Sequence, residues 1–384
     1  MPNIIGGTDN LSTTEVSGIL ASTPNYNAII NGNFDFWQSA GPSITSIGGS
    51  TGTFYHADMW SLAGQTAVPL VNYVRDTSQI PTTAQSGFYG NSCYANVLNS
   101  PSYTAATWSS LYRYAMEGHD LAPLRDRTVT FNFWFRISAS APVGAYSFSL
   151  YDPNNNRSYV TTFTPTVGAW APISITVPMT GFTSAADNSL ALEIYIANFA
   201  GSAFTTSTTE AWQTGAFFNA NTAVNPNITN SHMRLSQFSM TAGNGVGAMG
   251  FQRNGRNLAD ELASCQRYFE KSYDPDTVPG QATTVGISCM VCTQVNGSGT
   301  YGANTIPFRV LKRGSPGIAI WDAAGAANVV SSYNSVFGGW GNGESIFGVS
   351  GNGVSSIFVS QSSANLSGSG NISTALHWTA DARI

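Results

Sequence analysis

One run constrains this chain more than any other: Thr128–Ser138, TVTFNFWFRIS, in which large apolar side chains occupy every second position. A strand sends successive side chains to opposite faces, whereas a helix would scatter this pattern around its circumference. Val129, Phe131, Phe133, Phe135 and Ile137 therefore form a core-facing set, and Thr130, Asn132, Trp134, Arg136 and Ser138 face away. Two further runs read the same way. Leu190, Leu192, Ile194 and Ile196 point inward, leaving Glu193 and Tyr195 on the opposite side, and Ile173, Ile175 and Val177 form a third inward set. From Tyr26 to about Met240 such runs recur between Gly, Pro, Asn and Ser clusters, such as the turn DPNNNR at Asp152–Arg157. That is the pattern of an all-β sandwich.

Composition agrees. Only 9% of the residues are charged, against about 25% in an ordinary globular protein; Ser, Thr, Asn and Gly supply the polarity instead. The 384 residues suit two or three domains. A net charge of −5 without runs, and only two lysines, Lys271 and Lys312, exclude a nucleic-acid footprint. No stretch approaches the ~18 consecutive apolar residues of a membrane span, so no membrane insertion is expected. The N-terminus has no apolar core and no Lys or Arg before Arg75, which does not read as a secretory signal. A protein assembled in the cytosol and released by lysis would need none. Cys93, Cys265, Cys289 and Cys292 are too scattered for a disulfide framework and are read as reduced.

Four regions are expected. Residues 1–26 are polar and suit an arm that orders on a partner. Residues 27–240 form the first sandwich, residues 241–274 a Gly-rich linker and one helix, and residues 275–384 a smaller C-terminal β-sandwich. The helix is marked by Leu258, Leu262, Cys265 and Phe269 at steps of four, three and four, with Asn257 as its cap. This stripe either joins three copies at an axis or caps the bottom of its own domain. The low charge and long Gly/Ser loops favour an oligomer.

Several phrases resemble those of bacteriophage tail-fibre and virion surface proteins that carry a jelly-roll similar to carbohydrate-binding modules. IINGNFDFWQS (Ile29–Ser39) and FYHADMWSL (Phe54–Leu62) resemble the family's first two strands, and Leu124–Ser138 and Val167–Met179 are similar to its central pair. The helix ELASCQRYFEKSY (Glu261–Tyr273), the stretch IPFRVLKRGSPGIAIWD and the terminal HWTADARI complete the order. The resemblance implies a jelly-roll, a short helix and a C-terminal β-sandwich, in a homotrimeric fibre attached to another virion protein through its N-terminal arm. Relatives often hold a structural Ca²⁺ through an acidic residue in the last jelly-roll strand. Here Gln237 stands in its place, so neither calcium nor another cofactor is expected.

The outward set Asn132, Trp134 and Arg136, joined by Glu193 and Tyr195, is the candidate glycan-binding face. A flat aromatic stacks on a sugar ring while amide, guanidinium and carboxylate groups bond its hydroxyls; the competing reading packs Trp134 against a loop or a neighbouring subunit. Cys289 and Cys292 form a CxxC, but a three-residue offset in a strand sends the thiols to opposite faces, and no zinc-site partners accompany them. The histidines are scattered, and GGSTG at Gly48–Gly52 lacks the strand–turn–helix elbow of a serine hydrolase. No catalytic residue is expected. The expected function is a virion-surface fibre or spike that binds host glycans, with tail attachment preferred. A head or collar decoration protein is the nearest alternative, and a polysaccharide-degrading spike or a ligand-free structural linker stands further off.

Overall fold

The computed structural model describes residues 27–65, 68–86, 90–101, 107–243, 251–254, 257–294, 300–334, 339–345, 348–350, 353–363 and 372–384. The expected N-terminal arm, residues 1–26, lies outside them.

The chain is almost wholly β, as the alternation predicts. Its strands begin with β1 (Ser43–Ile47), β2 (Gly52–Tyr55), β3 (Trp60–Gly64), β4 (Leu70–Asp76), β5 (Ser92–Asn99) and β6 (Trp108–Glu117). They continue with β7 (Thr128–Ile137), β8 (Tyr146–Asp152), β9 (Arg157–Phe163), β10 (Ala171–Pro178) and β11 (Leu190–Ala200). After β12 (Thr205–Thr206), β13 (Trp212–Thr214) and β14 (Asn219–Ala220), the long β15 (His232–Ala242) completes the first half. One sheet runs β1-β4-β5-β15-β7-β10 and the other β13-β9-β8-β11-β6-β3-β2, all antiparallel, in a jelly-roll sandwich.

The core lies between these sheets. The inward set of β7 interlocks with Phe148 and Leu150 of β8 and with Leu192, Ile194 and Ile196 of β11. Phe131 and Phe148 bring their rings within 5.0 Å across the gap. The turn after β8 is closed by its own side chain: Asp152 accepts the backbone N–H groups of Asn154 and Asn155 and an Arg157 Nε–H at 3.0 Å.

The segment Ile29–Ser39, expected as the first strand, is instead a turn and an irregular plug. Ile29, Ile30, Phe34 and Trp37 are all buried, so the burial does not alternate as one face of a strand would require. Asn31 organises the plug in a left-handed conformation (φ 56°), its amide bonding Phe36 and the Asp58 carbonyl. Gly32 is required where it stands, since a Cβ there would lie 2.0 Å from the Phe238 carbonyl oxygen.

The helix spans Leu258–Gln266, with Asn257 Oδ1 accepting the N–H groups of Ala259 and Asp260. It ends earlier than expected, and Phe269 belongs to β16 (Phe269–Lys271). Cys265 and Phe269 are buried in their own chain, Leu262 is half-buried against the jelly-roll core, and only Leu258 is exposed. Glu261, on the same buried side, accepts the Asn31 N–H. The helix thus caps its own sandwich, and the stripe offers no continuous surface for joining three copies.

The C-terminal strands are β17 (Ser288–Gln294), β18 (Thr300–Pro307), β19 (Gly317–Trp321), β20 (Val329–Asn334), β21 (Gly339–Ser345), β22 (Gly348–Ser350), β23 (Ser356–Ser363) and β24 (Ile372–Asp381). β24 is the hub: it pairs with β17 and β20 along its first half and with β16 and β19 along its second. Because β16 joins this sheet, the C-terminal β region starts at Phe269 rather than near residue 275. Its core gathers Ile306, Ile320, Val330, Ile357, Leu376 and Trp378.

The two β regions meet through charge. Glu117, 1% exposed, accepts Arg267 at 3.0 Å and Arg313 at 2.6 Å. Lys312 is buried against Glu270 at 2.6 Å, and Lys271 donates to the carbonyls of Gln38, Pro275 and Thr277. Removing one member of a buried pair strands the other, which costs about 3–5 kcal/mol. Glu117→Gln, which leaves two guanidinium groups without their carboxylate, is expected to lower the unfolding free energy by about that amount, read from urea denaturation.

Stability also depends on pH through a buried imidazole. His56 is wholly buried, stacked on Tyr73 at 3.9 Å, and burial pushes its pKa down to about 3 from 6.5. The unfolded chain therefore takes up the proton first as pH falls. The neutral ring's contribution is complete above pH 6.5 and is lost as pH falls toward 3. Between pH 7 and pH 5 the wild-type chain is expected to lose about 2 kcal/mol more than His56→Phe, measured by denaturation at both pH values.

Candidate functional site

The outer face of the seven-stranded sheet carries a cavity of about 290 Å³, near the lower end of the ~300–1,000 Å³ usual for small-ligand pockets. Trp108, Tyr195 and Phe218 form its floor, Tyr151 a half-buried wall, and Arg113 with Glu193 its charged group. Thr53 and Gln65 stand exposed at the rim.

Two matched irregularities build this floor. β6 carries one extra residue against β3 between Arg113 and Ser110, and β11 is bulged at Ala197, where φ is 53°. Strict alternation would put Trp108 and Arg113, five residues apart, on opposite faces. With the bulge, Leu111 and Tyr112 both enter the core and Trp108 emerges beside Tyr195. Bulges re-aim side chains in this way.

A loop then folds across the sheet to finish the cavity. Phe218 stacks on Trp108 with centroids 4.6 Å apart and planes 18° from parallel, and Tyr195 meets both rings edge-on. The Phe218 carbonyl is fixed by Ser149 Oγ at 2.8 Å and Asn198 Nδ2 at 2.6 Å. The floor is therefore rigid before any ligand arrives.

Arg113 donates to Glu193 Oε1 from both Nε (2.8 Å) and Nη2 (2.5 Å). Burial opposes the guanidinium charge, but Glu193 together with the neighbouring Tyr195 and Tyr55 holds Arg113 above its ordinary pKa. Burial, with Glu193 beside it, pushes the Tyr195 hydroxyl well up, so it stays protonated. The cavity presents aromatic surface, a neutral hydroxyl and an internally balanced ion pair. These suit a polar ligand with an apolar face.

Of the residues expected on one glycan face, Glu193 and Tyr195 line this cavity and Asn132, Trp134 and Arg136 do not. The last three lie on β7, in the other sheet, so the two groups point out of opposite sides of the sandwich. The physical reason is that both strands face the same core from opposite layers. Trp134 is only 7% exposed, between Pro172 and Ser236 on its neighbouring strands, and Arg136 bonds Gln79 Oε1 at 2.5 Å. Trp108, Arg113, Tyr151 and Phe218 were not expected. The run WSSLYRYAME shows Trp108 and Arg113 in sequence, but nothing in it marks the bulge that aligns them.

Gln237, standing where calcium-holding relatives would have a carboxylate, is buried at a bulge in β15 (φ 52°). Among the described residues, no three His, Cys, Asp or Glu side chains gather as a metal site. Cys289 is exposed on β17; the side chain of Cys292 lies outside the described residues.

No protein-family model and no curated protein matches this sequence. Among solved structures, the chain is similar to the enzymatically active domain of bacteriophage CBA120 tailspike protein 4, at 12% identity and a TM-score of 0.30, covering 57% of this chain and 22% of that one. It is similar to the CBM22-1 xylan-binding domain of Paenibacillus barcinonensis Xyn10C at 12% identity and a TM-score of 0.27, covering 53% and 96%. A third likeness, to a cyclase from Fischerella sp. TAU, stands at 9% identity and a TM-score of 0.28, covering 56% and 94%. At such scores the likenesses carry no functional argument, which rests on the cavity.

Proposed function

We propose that this chain is a surface fibre or spike subunit of a tailed-phage virion that binds host-surface glycan in the cavity of its seven-stranded sheet. The observation that carries the binding reading is the pre-formed aromatic floor of Trp108, Tyr195 and Phe218 beside the Arg113–Glu193 pair. The virion assignment rests on the sequence resemblance, with tail attachment preferred and a head or collar position as the second reading. A homotrimer attached through residues 1–26 would present several such cavities on one particle.

Binding rather than catalysis fits the chemistry. Glycoside hydrolysis commonly uses two carboxyl groups about 5–10 Å apart. Among the described residues lining the cavity Glu193 is the sole carboxylate, and one of its oxygens already takes two bonds from Arg113.

Two substitutions test the site. Tyr151→Ala removes the half-buried wall and is expected to weaken binding of labelled protein to host cells roughly three- to tenfold, the scale of one aromatic contact. Trp134→Ala, on the far sheet, should leave cell binding unchanged while lowering stability by about 3–5 kcal/mol. Equal binding by Tyr151→Ala and loss by Trp134→Ala would move the site to the other face.

The virion assignment is tested by immunogold labelling of phage particles with antibody against the chain. Label on the tail supports the preferred position, label on the head or collar the second, and unlabelled particles would refute both.

A further inference from the structure

Resting on the glycan-binding reading of the cavity, we infer that it selects uncharged sugars and rejects acidic ones such as uronic or sialic acids. The geometry of charge carries this. Among the described residues lining the cavity, Arg113 and Glu193 alone carry charge near neutral pH; Arg113 gives Nε and Nη2 to Glu193, and its Nη1 donates to Ser61 Oγ and the Ile384 oxygen at 3.4 Å. Among the described lining residues, no second cation is present to pair with an incoming carboxylate. Moving an unpaired carboxylate out of water into such a site is costly, whereas sugar hydroxyls can trade water bonds for protein bonds.

The rest of the surface points the same way. Both lysines are buried, Lys271 among carbonyls and Lys312 on Glu270. Among the described residues the exposed arginines are Arg127 and Arg309, on separate strand-end loops. With a net charge of −5, the chain has little with which to hold a polyanionic capsule at long range.

Glu193 is then more than a hydrogen-bonding group: it cancels Arg113. Glu193→Gln would leave the guanidinium charged in the same cavity and open it to acidic ligands. A positioning role in folding alone would not change which sugars bind.

The test uses the full chain and a panel of neutral gluco-, galacto- and manno-oligosaccharides paired with uronic-acid-containing and sialylated counterparts, read by calorimetry. The wild type is expected to bind at least one neutral oligosaccharide at least about tenfold more tightly than its acidic counterpart. Raising salt from about 0.05 to 0.5 M should leave neutral-sugar binding unchanged. Glu193→Gln, checked for folding by circular dichroism, should narrow or reverse the preference; if this variant does not fold, the wild-type ratio and salt response still decide. Acidic sugars binding as tightly as neutral ones, or salt abolishing wild-type binding, would overturn this inference while leaving a glycan-binding cavity in place. Binding of neither class would overturn the glycan reading and this inference with it.

Discussion

Glu117 sits where the architecture is joined. It ends β6 in the jelly-roll and bonds Arg267, just past the helix, and Arg313, beyond β18. A carboxylate at 1% exposure is tolerable because two guanidinium groups satisfy it. Arg313 then continues to the backbone of Asn188 and Ala382, so a single cluster ties five separate stretches of chain together. Lys312–Glu270 and Lys271 with its three carbonyls lie close by in sequence, on β16 just past Arg267 and on the loop beside Arg313. In a chain with 9% charged residues, this concentration decides the character of the whole molecule. Part of that scarce charge is buried at the junction, and much of the remaining polarity comes from hydroxyls and amides.

That allocation also explains the chemistry of the cavity. The seven-stranded sheet exposes an outer face on which a lone arginine would be a general anion site. Pairing Arg113 with Glu193 converts it into a rigid, neutral support for Tyr195 and the stacked Trp108 and Phe218. The loop bearing Phe218 is held by Ser149 and Asn198 through a single carbonyl. Little ordering remains to be done when a ligand enters, which favours affinity from a small contact area.

Much of the fold was legible because period-two burial is a local signal. The inward residues of β7, β10 and β11 were readable directly, as was the Asp152 turn, since each depends on neighbours in sequence. The site was legible only in part. Parity assigns side chains to faces within one strand but does not say which sheet a strand joins, so Trp134 and Glu193 looked like companions although a core separates them. Bulges are hidden for a related reason: an extra residue in β6 is defined by its partner strand, not by its own composition. The plug at Ile29–Ser39 misled because its aromatic content resembles a strand while Asn31, in a left-handed conformation, closes it as a turn.

A cavity of about 290 Å³ offers room for little more than a small ligand, and its floor is already packed against itself. Single-site affinity should therefore be modest, since only a few hydrogen bonds and one or two ring faces are left to gain. Modest affinity would be workable if, as proposed, many copies were carried on one particle. Once one site is engaged, the next binds at an effective concentration set by the spacing of copies, and overall avidity can rise by about 10²–10⁴ without new contacts. A site of this kind works best when it does not deform, because every rearrangement would be repeated at each copy. The paired bulges, the stacked rings and the balanced ion pair all serve that end: they remove freedom from the cavity before the ligand arrives.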